Sequence, residues 1–326
     1  METADWTRAA EHAHLIVDNV ERVVLGKRIQ VELVVMALIA GGHVLIDDVP
    51  GTGKTSLVSA LARSIDCGFS RIQFTPDVLP SDVVGYSLYN QKEREFEFRA
   101  GAVMSNIVLV DEINRASART QAALLEAMAE RQVTVDQTTY CLDEPFMVLA
   151  TQNPVDQQGT YALPEAQLDR FVIKLSMGYP AIEEEVDVAL GQIERSQLHA
   201  VATADDVLFL RDVAARTHVS EPVARYAVEL VNATRDAHEL RIGASPRASI
   251  GLVGMARANA VMRGRTYVLP DDIKYLAPYV LGHRIALTHE AISLGRTPEG
   301  AIAAIVRGVS SPALSSVKIG GRHGRI

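Results

Sequence analysis

Only two cysteines, Cys67 and Cys141, occur in 326 residues, which excludes a disulfide framework and a metal knuckle. The nine histidines are scattered. His12 and His14 stand two apart, a spacing that points them away from each other on a helix, and no zinc site is read. Long hydrophobic runs are also missing. The most apolar stretch, 31–46, is interrupted by Glu32, His43 and a Gly-Gly pair, and it is too short to span a bilayer. The first residues, Met1-Glu2-Thr3-Ala4-Asp5, are acidic and polar, unlike a signal peptide. Positive charge is in deficit: the formal net charge is −8. This argues against a surface that wraps nucleic acid, while leaving a local basic patch open. There is no internal repeat and no low-complexity segment. A soluble cytoplasmic protein is expected. A hydrophobic content of 48% suffices for a sizeable core, in two domains or one large one.

What is present centres on Val44-Leu45-Ile46-Asp47-Asp48-Val49-Pro50-Gly51-Thr52-Gly53-Lys54-Thr55-Ser56-Leu57. It reads as a short buried strand, a glycine-rich turn and the start of a helix, the order that a phosphate cradle requires. Gly51 and Gly53 let backbone N–H groups turn inward around a polyphosphate. The helix N-terminus adds positive potential. Lys54 can reach the β- and γ-phosphates, and the Thr55 hydroxyl can bind Mg²⁺. Against the general pattern G-x-x-x-x-G-K-[ST], Asp48 stands where the first glycine belongs, and a carboxylate beside phosphates has no obvious use.

Along the chain, helices are expected over 5–24, with Leu15, Ile16, Val20, Val23 and Val24 as the apolar stripe, and again where Val31, Val34, Val35 and Leu38 recur at helical spacing. A further helix follows the glycine-rich turn. A short strand is expected at 71–74. Residues 75–101 read as an irregular functional insertion, marked by Pro76, Pro80 and Gly85. The run 107–110 has the continuous apolar character of a central strand. Next come a helix at 118–129, a hairpin within 132–142, and strands at 147–150 and 171–175. Alternating strands and helices imply a parallel α/β sheet. From Glu183 onward the pattern is helical, with helix starts at Ser220, Ser245-Pro246 and Leu269-Pro270. Residues 320–325 form a basic tail, read as a frayed terminus.

Val108-Leu109-Val110-Asp111-Glu112 delivers two acids to the end of an apolar strand. As partners of a phosphate loop, Asp111 holds Mg²⁺ through water and Glu112 acts as general base. Asn153 ends the strand after the hairpin. Its amide can orient the attacking water, or it simply makes an Asn-Pro turn. Arg170 and Arg247 each stand where a guanidinium can offset charge on a transferring phosphoryl group. A surface ion pair, for Arg170 with Asp169 or Glu165, is the plainer alternative.

Taken together, these residues resemble the MoxR family of AAA+ ATPases. The match is carried by Pro50-Gly51-Thr52-Gly53-Lys54-Thr55, Asp111-Glu112-Ile113-Asn114-Arg115-Ala116, Leu124-Leu125-Glu126-Ala127-Met128, Ala150-Thr151-Gln152-Asn153-Pro154 and Leu163-Pro164-Glu165-Ala166-Gln167-Leu168-Asp169-Arg170-Phe171. Ile72-Gln73-Phe74-Thr75-Pro76-Asp77-Val78-Leu79-Pro80-Ser81-Asp82 is similar as well. Asp48 before Val-Pro-Gly resembles what the family tolerates. Ala102 after Gly101 and the Gly-Arg tail depart from its pattern.

The resemblance implies a P-loop α/β core over 1–180 and a smaller all-α lid over 181–326. It implies that Pro50, Gly51, Thr52, Gly53, Lys54, Thr55 and Ser56 bind ATP. Asp111 and Glu112 become the Walker B pair, Asn153 the sensor-1 residue, Arg170 an arginine finger acting in trans, and Arg247 the sensor-2 arginine. Val24-Leu25-Gly26 resembles the segment that packs on adenine. The segment after Phe74 and the hairpin at 132–142 resemble insertions that face the pore of a hexameric ring. The implied activity is Mg²⁺-dependent ATP hydrolysis coupled to remodelling of client proteins, with a von Willebrand factor A domain partner. A metal-chelatase motor subunit and a nucleic-acid-stimulated motor are the alternatives. A nucleotide sensor without catalysis conflicts with the presence of both Lys54 and Glu112.

Overall fold

The computed structural model describes residues 2–48, 51–153, 161–190 and 198–312. The expectations at Pro50, Pro154 and the tail 320–325 lie outside these. The chain divides into two compact units. One comprises Leu15–Phe171 and Leu175–Leu208, and the other Met1–His14, Val172–Lys174 and Phe209–Ile326.

Two helices come first, α1 (Glu2–Glu21) and α2 (Arg28–Ile39). α1 buries Ala9, Ala13, Ile16, Val17 and Val20 at helical spacing. Leu15, expected in that stripe, is instead half exposed. α2 is buried from Val31 to Ile39, and the charged residue in that run, Glu32, pairs with Arg28 at 3.4 Å.

The α/β unit continues with β1 (His43–Asp47), α3 (Lys54–Ser64), β2 (Phe69–Gln73), α4 (Pro80–Val84), β3 (Gly85–Asn90), β4 (Glu95–Ala100) and β5 (Ile107–Asp111). Then follow α5 (Ala118–Glu130), β6 (Gln132–Val135), β7 (Thr138–Cys141), β8 (Met147–Gln152), α6 (Glu165–Leu168), β9 (Phe171–Leu175) and α7 (Ile182–Ala189). Five strands form one sheet in the order β2-β5-β8-β1-β9. β2 runs parallel to β5, β5 to β8, and β1 to β8. Strands adjacent in the sheet are therefore not adjacent in sequence, and parallel pairing requires the intervening crossovers. Val108 and Val110 of β5 and Val148 and Ala150 of β8 pack with Leu124, Leu125 and Met128 of α5 and with Phe74 and Phe146. The strand period turns Ile107 and Leu109 to the opposite face, and α3 also packs against β5.

Residues 85–100, expected to be irregular, form instead an antiparallel hairpin, β3 with β4. Its signal, Glu95-Phe96-Glu97-Phe98-Arg99, alternates charge with aromatic side chains on a ribbon whose two faces are largely exposed, so no buried stripe marked it. Gly85 (φ 102°) and Gly101 close its base, where a Cβ on either would collide with backbone. The hairpin within 132–142 is present as β6 with β7. Asp136 and Gln137 at its tip both have positive φ, as a two-residue type I′ turn demands.

The second unit is mainly helical: α8 (Ala204–Arg216), α9 (Glu221–Asp236), α10 (Pro246–Met262), α11 (Pro270–Leu281), α12 (His289–Ser293) and α13 (Pro298–Gly308). A short antiparallel ribbon, β10 (Leu240–Ile242) with β11 (Ala286–Leu287), interrupts the all-helical pattern expected there. α9 buries Val223, Tyr226, Ala227, Leu230 and Val231. The first turns of α1 join this unit: Trp6 Nε1 donates to Thr217 Oγ1 at 2.9 Å, and Arg216 pairs with Asp5 at 3.0 Å. Among the described residues, no helix is long and apolar enough to cross a membrane.

Candidate functional site

The carboxyl ends of β1, β8 and β5 lie side by side. Ile46 pairs with Thr151, Asp47 with Gln152, and Val110 with Ala150. On the far side of β5, Gln73 of β2 pairs with Asp111. A cleft opens at this edge, where open α/β sheets bind ligands. The turn after β1 contributes Gly51, Lys54 and Thr55 to its lining. β5 and the residue after it contribute Asp111 and Glu112, β8 and its end contribute Thr151, Gln152 and Asn153, and β2 contributes Arg71 and Gln73. The fold thus gathers Lys54, Thr55, Asp111, Glu112 and Asn153 from three separate stretches of sequence. Arg71, Gln73 and Thr151 were not singled out by sequence reasoning as site residues. Their register beside the two acids is visible only once the strand order is known.

The turn itself depends on two glycines. Gly51 and Gly53 adopt φ of 87° and 86°, with no neighbouring atom near the position of a Cβ. Left-handed backbone, and not lack of space, therefore selects glycine. Gly53 is also the N-cap of α3 and supplies no side-chain hydrogen bond to the first-turn N–H groups, the arrangement that suits an anionic ligand. Lys54 Nζ donates to the backbone carbonyl of Asp48 at 2.9 Å. Burial lowers the Lys54 pKa, while the charges of Asp48, Asp111, Glu112 and Asp47 oppose that shift. The Asp48 carboxylate is engaged elsewhere. Its Oδ2 accepts the backbone N–H groups of Met177 and Gly178, both at 2.8 Å. The acid that replaces the first glycine of the pattern therefore ties the segment after β9 to the root of the turn.

Asp111 is buried. Its Oδ2 accepts from Arg71 Nε at 2.7 Å, and its Oδ1 from Thr151 Oγ1 at 3.4 Å. Thr151 Oγ1 in turn accepts the backbone N–H of Glu112 at 2.9 Å. Glu112 is left-handed, at φ 55° and ψ 54°, an uncommon conformation for a glutamate. This bend ends the strand between the two acids. The Glu112 carboxylate pairs with Arg115 Nη1 at 2.9 Å.

The other expected residues are placed as follows. Thr52 is buried beside the turn. Ser56 lines a second cavity of about 400 Å³ with Val23, Thr55, Ser59, Ala60, Arg63 and Leu198. Gly26 bends the α1–α2 link at φ 65° and is exposed; Val23 is the residue of that link on the cavity wall. Arg170 is half-buried, and its Nη1 donates to the carbonyl of Leu125 at 2.9 Å. Arg247 is exposed in the first turn of α10, in the helical unit, where its N–H bonds Ser245 Oγ at 3.1 Å. Arg170 does not line the cleft.

The donor set suits a hard cation that brings most of its own shell. A hydroxyl (Thr55) and a carboxylate (Asp111) share the cleft wall. Among the described residues, no group of three or more His, Cys, Asp or Glu side chains is placed to hold a metal. Magnesium commonly takes one or two carboxylates, with phosphate oxygens and water filling the other positions.

Known proteins resemble this chain over most of its length. Residues 43–173 match the ATPase family associated with various cellular activities (AAA), and residues 232–305 match the AAA lid domain. The chain is 41% identical to Chaperone MoxR1 of Mycobacterium tuberculosis, across 92% of this chain and 82% of that protein. It is 51% identical to the uncharacterized protein YeaC of Bacillus subtilis, across 91% of this chain and 93% of that one. The crystal structure of a candidate ATPase from Cytophaga hutchinsonii superposes with a TM-score of 0.88 at 41% identity, covering 95% of this chain and 98% of that one. On these likenesses the chain belongs to the MoxR family of AAA+ ATPases.

Proposed function

We propose that this protein is a Mg²⁺-dependent ATPase that assembles into a hexameric ring in the cytoplasm and remodels client proteins, with a von Willebrand factor A domain protein as partner. The core is residues 1–180 and the lid residues 181–326. The observation that carries this reading is the cleft where Lys54, Thr55, Asp111, Glu112 and Asn153 meet.

In this reading the N–H groups of Gly51, Thr52 and Gly53 hold the triphosphate, with Pro50 and Ser56 as neighbouring members of the site. Lys54 releases the Asp48 carbonyl and binds the β- and γ-phosphates. Val24, Leu25 and Gly26 pack on the adenine. Thr55 and Asp111 hold the magnesium ion, which when bound offsets charge on the phosphate oxygens. Glu112 takes a proton from the attacking water, and Asn153 orients that water by hydrogen bonding. Arg170 is supplied to the neighbouring subunit as a finger, a role worth ~10³–10⁵ in rate in comparable phosphoryl transfers. Arg247 reports the nucleotide to the lid. The two exposed hairpins, β3–β4 and β6–β7, carry the resulting motion to the client.

The test is the Glu112→Gln variant, with turnover, nucleotide affinity and particle size measured with and without ATP. Nucleotide affinity is retained, turnover falls by about 10²–10⁴ as expected for loss of a general base, and ATP drives assembly. Unchanged turnover removes Glu112 from the chemistry. Lack of any affinity for adenine nucleotides overturns the reading altogether.

A further inference from the structure

We infer that Arg71 is the counter-ion of Asp111 in the metal-free protein and is exchanged for the metal ion when nucleotide is loaded. The inference rests on the reading of Asp111 as a metal ligand. Arg71 is the middle residue of β2, paired in register with Leu109, while Gln73 pairs with Asp111. Along a strand, alternate residues share a face. Arg71 and Gln73 therefore flank the acid from the neighbouring strand, and the Arg71 side chain reaches up the sheet to place Nε 2.7 Å from Asp111 Oδ2.

The pair is asymmetric. The Asp111 side chain is 9% exposed, whereas that of Arg71 is 50% exposed. A carboxylate so buried is costly to leave without a cation. The guanidinium sits at the solvent edge on a long flexible stem and can leave at little cost. Thr151 holds the other oxygen, Oδ1, at 3.4 Å. Asp111 thus stays in place while its partner changes. A divalent ion arriving with a polyphosphate brings more charge to the same oxygens, and like charges side by side on one carboxylate repel. Arg71 yields.

Removing the competitor should lower the metal requirement without touching the phosphate cradle. The experiment titrates N-methylanthraniloyl-ADP binding to the full chain at rising Mg²⁺ and in EDTA. It compares the parent with Arg71→Gln, Arg71→Lys and Asp111→Asn, with circular dichroism confirming that each is folded. Arg71→Gln reaches half-maximal Mg²⁺-dependent binding at about two- to fivefold less Mg²⁺, the strength of a solvent-edge ion pair. Its affinity in EDTA stays that of the parent, and Arg71→Lys lies between. An unchanged or higher Mg²⁺ requirement in Arg71→Gln overturns the inference. So does an equal loss of affinity with and without metal, which makes Arg71 a plain phosphate ligand. Asp111→Asn separates the two levels. If it abolishes the Mg²⁺ response, a failure at Arg71 counts against the exchange alone. If it responds like the parent, Asp111 is not the metal ligand, and the underlying reading fails with it.

Discussion

The carboxylate of Asp48 and the backbone N–H of Gly178 meet at 2.8 Å, and Met177 donates to the same oxygen at the same distance. A residue at odds with the general phosphate-loop pattern is thus a structural acceptor beneath the loop. Asp48→Gly restores that pattern and still destabilises the protein. Two backbone donors lose a charged acceptor, at a cost of about 1.5–3 kcal/mol. Asp48→Asn keeps one acceptor oxygen and recovers part of the loss. Urea denaturation of the three proteins measures this. A glycine variant as stable as the parent would show that the bonds contribute nothing.

Lys54 carries a cost in the empty protein. Its pKa is lowered by burial from the ordinary 10.5, so the unfolded chain binds this proton more tightly than the folded one. Stability then rises with pH from the folded pKa up to 10.5, and below that window the buried charge opposes folding. Lys54→Met therefore raises the melting temperature of the nucleotide-free protein at neutral pH. The advantage shrinks as pH approaches the lysine range. The same variant loses nucleotide affinity by about tenfold or more, the loss of a charge-assisted contact. Paired melting curves and binding titrations check both signs.

Thr151 joins the two acids, accepting the N–H of Glu112 and donating to Asp111. Thr151→Val has nearly the same shape and makes neither bond. We expect a stability loss of about 1 kcal/mol and a larger effect on turnover than on nucleotide affinity, because the left-handed bend at Glu112 loses its anchor. Thr151→Ser restores both. Equal losses in turnover and affinity would assign Thr151 to ligand binding instead.

In the helical unit, Asp272 is buried and accepts four bonds: two from Arg265 at 3.0 and 2.6 Å, one from Asn259 Nδ2 at 2.7 Å and one from the backbone of Leu269 at 2.7 Å. Asp272→Ala leaves Arg265 without this carboxylate and α11 without its cap. The expected loss is about 3–5 kcal/mol, read by chemical denaturation. A loss below about 1 kcal/mol would mean that water replaces the carboxylate freely.

The turn around Gly51 and Gly53, the helix after it and the apolar strand ending in Asp111 are set by local rules, namely backbone freedom at glycine, side-chain period and helix termini. The amino-acid order alone therefore determined them. It also determined the family, because the motifs that carry the resemblance are contiguous runs. Arg71, Thr151 and the work of Asp48 were decided by tertiary structure. Each acts across a strand or segment boundary, and the sheet order β2-β5-β8-β1-β9 sets neighbours that no local spacing encodes. The hairpin at 85–100 is not legible in the sequence because its faces are mostly solvated and bury no stripe. The first turns of α1 belong with the later helices because Trp6 finds Thr217, a buried contact between residues far apart in sequence.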